Sequence, residues 1–211
     1  MQTNEITTIT GRAYDTMAAA AITALQQKDC AAIAENADVD YDSTTQTLEV
    51  ASLGRTFRVT LPDYAFDSIF GNWHGLVLLH YLDMADNTPL TGTWIPFEAM
   101  EGGMVRGAKF EQTVDTRLGK WLTQVGEKAA KQACLVLGGT EAPKGNADWC
   151  VLLPFLPRYP ILLKLWFADE EFDASAKMLF DASASHYLTV EDAVTLGEVV
   201  MDLLEGQQAT K

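Results

Sequence analysis

"WCVLLPFLPRYPILLKLWFADEEFDASAKMLFD", residues 149–181, is the stretch on which the fold of this chain turns. Two apolar runs, WCVLLPF and YPILLKLWFA, bracket the short segment LPRYP at 156–160. Each run has the length of a strand, and the prolines fall near the ends of the runs. A pair of core strands joined by a tight turn is the expectation.

The acidic residues that follow, Asp169, Glu170, Glu171 and Asp173, admit two readings. In one, a helix begins at Asp169, which serves as N-cap. Glu170 and Glu171 then occupy the first turn, where negative charge complements the macrodipole. Phe172, Ala176, Leu179 and Phe180 form an apolar stripe, and Asp173, Lys177 and Asp181 a charged one at i, i+4, i+8. In the other reading the carboxylates emerge at the end of a core strand and form a site, binding a hard cation or serving as general acid and base. No histidine or glycine stands at a diagnostic metal-loop spacing, so the helix start leads. A site follows only if the fold turns the stretch toward a cleft.

Working outward, residues 12–27 are rich in alanine and lack glycine and proline, which predicts a helix. Residues 47–52 and 55–61 alternate about Leu53-Gly54, a hairpin signal with Leu48, Val50, Phe57 and Val59 facing inward. Residues 72–86 carry apolar side chains near helical spacing and read as a buried helix. Residues 87–109 hold two prolines and four glycines and read as a long loop with little room for regular structure. Residues 113–137 return to helix, with Leu118, Leu122, Val125 and Ala129 on one face. "GGTEAPKGNAD" is a second glycine-rich loop. A last helix begins near Thr189, where Thr189 and Asp192 have capping-box spacing, and stops at Gly206. The sum is α+β, a mainly antiparallel sheet with helices packed on it. A single domain over residues 1–211 is expected, with 1–62, the first helix plus hairpin, as a looser subregion.

Acids outnumber bases by 29 to 15, a formal net charge of -14. Such a surface repels phosphate backbones and anionic lipid heads, so neither nucleic acid nor a membrane is expected as partner. Cys30, Cys134 and Cys150 form no C-x-x-C pair, which argues against a disulfide framework and for buried thiols in a reducing, cytoplasmic setting. The apolar run at 17–25 follows acidic residues and is too short to span a bilayer.

No nucleophile elbow, zincin motif or dinucleotide fingerprint is present. His74 and His80 lie six residues apart, about 240° around a helix, and cannot share one ion. No metal site is expected, and each histidine is either structural or a lone acid or base. Trp94, beside Phe97 in the first Gly/Pro loop, is a candidate pocket wall. Arg158, a cation in an apolar stretch, either pairs with Asp169 or Glu170 or binds an anion.

"PLTGTWIPFEAMEGG" (89–103), "LGGT" (137–140), "LPRYPILLKLWFADEEFDASAKMLFD" (156–181) and "YLTVED" (187–192) together resemble the domain-of-unknown-function family 3786. The resemblance covers roughly the last two thirds of the chain. It implies an origin among anaerobic bacteria or archaea, and some relatives carry an added cysteine-rich iron–sulfur segment that these three cysteines do not reproduce. It implies no activity and maps no catalytic residue or cofactor.

The leading functional expectation is a small-molecule-binding or accessory protein of anaerobic metabolism. It would hold a small-molecule ligand or dock on a redox protein partner through Trp94 and Arg158. The alternative is a metal-dependent or acid–base enzyme using Asp169, Glu170 and Glu171, helped by His74 or His186. The third is a structural interaction module or homodimer.

Overall fold

The computed structural model describes residues 2–206, with side chains from residue 13 onward. The chain opens with helix α1 (Gln2–Leu25), followed by a second helix, α2 (Cys30–Ala37), which lies beyond the helix expected over residues 12–27. Asp29 is its N-cap, with a carboxylate that accepts the Ala32 N–H at 2.9 Å.

Four short strands then form an antiparallel sheet in sequence order: β1 (Asp40–Asp42), β2 (Thr47–Ser52), β3 (Arg55–Thr60) and β4 (Ala65–Phe66). The β2–β3 hairpin is the one the alternation predicts, and Leu48, Val50, Phe57 and Val59 are all buried. Its tip reaches across to the second half of the chain. The Leu53 N–H donates to the Pro154 carbonyl at 2.8 Å, and Gly54 and Gly138, both at positive φ, touch backbone to backbone. A Cβ on Gly138 would stand 2.8 Å from Gly54 Cα, so only glycine fits this crossing.

Helix α3 (Asn72–Met84) follows, and the Gly/Pro segment after it is more regular than its composition suggests. It contains strand β5 (Trp94–Pro96) and two single 3₁₀ turns. Helix α4 (Gly107–Val136) is broken at Gly126, whose φ of 76° and ψ of 168° are not helical. The break resets the helical phase. Leu118 and Leu122 are buried as expected, but beyond the kink Ala130, Ala133 and Cys134 face the core and Ala129 faces solvent.

The second sheet is antiparallel with order β5-β9-β8-β7-β6, built from β6 (Thr140–Ala142), β7 (Trp149–Leu156), β8 (Tyr159–Trp166) and β9 (Ser175–Asp181). The β7–β8 hairpin is the predicted core pair. The helix expected from Asp169 does not form. Residues 169–172 make a tight turn in which the Asp169 carboxylate accepts the Glu171 and Phe172 N–H groups at 2.8 and 2.7 Å, and β9 then pairs with β8 from Ser175 to Phe180. The physical reason is the free edge of β8: six residues of backbone pairing and the burial of Ala176, Met178 and Phe180 outweigh a helix whose one apolar stripe begins at Phe172, here 70% exposed. Helix α5 (Val190–Gly206) is the last element of the described residues, with the capping box realised by mutual Thr189–Asp192 hydrogen bonds.

The fold is therefore α+β, with two antiparallel sheets and helices packed on them. One face of the second sheet carries Val151, Leu153, Phe155, Ile161, Leu163, Leu165, Ala176, Met178 and Phe180, buried in a hydrophobic cluster that also takes in the first sheet and the helices. Among the described residues no helix is long and apolar enough to cross a membrane.

Candidate functional site

The opposite face of the second sheet is only partly covered, and its pattern follows from the ladder register. Side chains alternate between faces, so one row across it reads Ala142, Cys150, Lys164, Lys177 and the next Thr140, Leu152, Leu162, Leu179, Pro96. Trp166 and Ser175 form the row on one side, and Trp94 opens the row on the other. Ala147, Cys150 and Leu162 make a small apolar cluster here, against which Trp94, Leu152, Trp166 and Leu179 lie half-buried.

Loops hold the two tryptophans in place. Asp181, at the end of β9, accepts five hydrogen bonds: from Thr91 N–H and hydroxyl, Gly92 N–H, and Ser183 N–H and hydroxyl, at 2.7–3.0 Å. Burial alone would push its carboxyl up. The donors outweigh burial and hold it below the usual carboxylate range. This clamp fixes the turn from which Trp94 enters β5. On the other side the second glycine-rich loop folds over the sheet, where the Asn146 carbonyl accepts the Trp166 indole N–H at 2.8 Å and its side-chain oxygen accepts from Lys164 Nζ. Asp148 accepts the Phe167 N–H at 2.9 Å.

Between these loops and the N-terminal half of α4 runs a groove of about 1160 Å³. Trp94, Trp166, Phe172 and Leu179 supply its apolar surface, and Lys164 and Lys177 its cations. Its carboxylates are Glu98, Glu111, Asp115, Asp148, Asp169 and Asp173. Strand β5 pairs with β9 only from Leu179 to Asp181, so Ser175–Met178 have no strand neighbour on that edge. Asp115 of α4 closes part of it by accepting the Ala176 N–H at 3.1 Å. An added strand would find that donor taken.

The six residues singled out in the sequence separate into three places. Trp94 and Asp169 line the groove, and Glu170 and Glu171 are exposed in the turn that Asp169 organises. The Asp169 carboxyl is held below its ordinary value by the Glu171 and Phe172 N–H groups. Arg158 lies in the β7–β8 turn, and its partner is Asp38, with Nε 3.3 Å from Oδ2, instead of Asp169 or Glu170. The reason is length: an eight-residue strand separates the turn from Asp169 by roughly 26 Å. Around Arg158 is a hollow of about 390 Å³ whose other charged walls are Glu35, Asp38, Asp40 and Glu49, and the guanidinium already has its counter-charge in Asp38.

His74 is 1% exposed within the core. Its Nδ1 accepts the Phe70 N–H at 3.4 Å, which leaves Nε2–H to donate to Ser52 Oγ at 3.0 Å. Phe57, Phe70 and Phe155 surround the ring, and burial pushes its pKa down to about 4. This is a neutral, structural histidine. His80 and Asp192 join α3 to α5 at 2.6 Å, and His186 meets Asp86 at 2.8 Å. Among the described residues no group of three or more His, Cys, Asp or Glu side chains is arranged to hold a metal ion. Cys134 and Cys150 are buried thiols, the former pushed up to about 12 by burial, whereas Cys30 is half-buried; all three are free.

Lys164, Lys177, Trp166 and Asp181 are the site residues that sequence reasoning missed as a group. A signal existed: Lys164 interrupts the apolar run YPILLKLWFA, and Lys177 stands beside the apolar MLF of 178–180. It becomes meaningful only once β8 and β9 are paired in a known register.

Comparison with curated proteins finds no match, and comparison with solved structures finds none. Residues 29–203 match the family model described as Domain of unknown function (DUF3786), and the chain belongs to that family.

Proposed function

We propose that this chain is a cytoplasmic binding protein that holds a small molecule in the groove over the open face of the second sheet. One observation carries the reading: Trp94 and Trp166, at strand ends far apart in sequence, are held by hydrogen-bonded loops along one groove that Leu179 also lines. Loops held in place by a clamp such as Asp181 reduce the ordering cost of binding. Small-ligand sites pair aromatic and aliphatic walls with placed polar groups, and here Trp94, Trp166, Phe172 and Leu179 share the groove with six carboxylates and two lysines. The acid–base alternative has less support, because Asp169 already serves its turn and His74 is enclosed in the core.

The test uses N-phenyl-1-naphthylamine, a neutral aromatic probe whose fluorescence rises on leaving water. Titration of the full chain gives saturable binding, and Trp94→Ala weakens it about tenfold, on the scale of one lost aromatic contact. Circular dichroism of the variant confirms that the fold is retained. Binding that is absent, or indifferent to Trp94→Ala, contradicts the proposal.

A further inference from the structure

We infer that the groove takes an anionic ligand, its carboxylate, sulfonate or phosphate lodged between Lys164 and Lys177 while a flat apolar body lies on Leu179 and a tryptophan; this rests on the groove being the binding site. Lys164 and Lys177 are direct cross-strand partners on β8 and β9, projecting from the same face. Like charges in that position repel and destabilise a sheet, so their juxtaposition costs free energy that nothing in the strand pairing returns.

The chain does not resolve this repulsion internally. Ion pairs elsewhere engage Lys28, Arg58, Arg117, Lys131 and Arg158, and among the described residues neither groove lysine has one. Lys164 instead meets the neutral Asn146 side chain and lies 5.8 Å from the Trp166 ring centroid. Lys177 is exposed. This happens in a chain with 29 acids and 15 bases, and in a groove lined by six carboxylates. Three of those six are turned to main-chain donors: Asp115 to Ala176, Asp148 to Phe167, and Asp169 to Glu171 and Phe172.

The neighbours in register define the rest of the ligand. The lysine pair is flanked by Trp166 and Ser175 on one side and by Leu162 and Leu179 on the other, each about 7 Å along the strands. An anion placed between the ammonium groups therefore has apolar surface within one ring's reach in either direction. The geometry points to an aromatic or polycyclic acid, and an inorganic anion alone would leave the apolar floor unused.

Two probes with the same rings separate this inference from the one it rests on. N-phenyl-1-naphthylamine is neutral, and 1-anilinonaphthalene-8-sulfonate adds one anionic group. The sulfonate binds about tenfold tighter or more at low salt, and its advantage shrinks as salt is raised to about 0.5 M, where the Debye length is only a few ångströms. Lys177→Gln removes most of the advantage, read as the ratio of sulfonate to neutral-probe affinity in the same variant; this variant also folds safely, because it relieves a repulsion. Equal or weaker binding of the sulfonate, or an advantage that survives Lys177→Gln, overturns the anion assignment while leaving the groove intact. Failure of both probes to bind, or binding of both that ignores Trp94→Ala, overturns the groove itself.

Discussion

The Asp181 carboxylate accepts the main-chain N–H of Gly92 at 2.7 Å. That bond joins the end of β9 to the turn that delivers Trp94, and four more donors converge on the same 3%-exposed side chain. Asp181→Asn places an amide NH₂ where the chain offers only donors. It should lower stability by about 2 kcal/mol, the scale of hydrogen bonds to a buried charge, with a matching fall in the urea midpoint. It should also weaken the neutral probe, since Trp94 loses its anchor. Unchanged stability would show that the clamp does not hold the turn.

Two histidines should shape the pH dependence of stability in opposite windows. Burial lowers the pKa of His74 to about 4, so the unfolded chain takes up a proton there below about 6.5 while the folded chain does not. Stability should fall by roughly 3 kcal/mol as pH drops from about 6.5 to 4. His74→Gln should flatten this acid limb.

The hydrogen bond to Asp192 raises His80, against burial, so its contribution is fully present below its ordinary pKa and is lost as pH rises through the raised value. Asp192 is lowered: burial raises it, but His80 and Thr189 outweigh burial, so its contribution is lost only as pH falls through the depressed carboxylate value. His80→Gln should therefore flatten the limb above about 6.5 and leave the His74 limb in place. Urea unfolding across pH reads both variants, and identical profiles for the two would contradict the assignment.

Phe172 and Met178 discriminate between helix and strand for residues 169–181. A helix buries Phe172, whereas the strand buries Met178, here 3% exposed, and leaves Phe172 at 70%. Phe172→Ala should change stability by less than about 0.5 kcal/mol, and Met178→Ala should cost about 2–5 kcal/mol. The reverse order in chemical denaturation would restore the helix.

That pair also explains what the sequence could and could not reveal. Ala176 and Phe180 are four residues apart, a spacing that fits one face of a helix and one face of a strand equally, so periodicity alone could not decide. The β2–β3 and β7–β8 hairpins were legible because turn chemistry and run length agreed with alternation. The Thr189–Asp192 cap was legible because it is local. Arg158's pairing with Asp38 was not, since it depends on which end of a strand each residue occupies. The opposed lysines were hidden for the same reason: register is a tertiary property, and a helix through Lys177 conceals it.

The central claim is that ligands bind over the open face of the second sheet, between Trp94 and Trp166. The most direct measurement labels the five tryptophans with 5-fluorotryptophan and follows their fluorine resonances while 1-anilinonaphthalene-8-sulfonate is added. The account predicts shifts at Trp94 and Trp166, with the core residue Trp121 unmoved. Shifts confined to Trp73, or none at Trp94 and Trp166 while the probe binds, would contradict it.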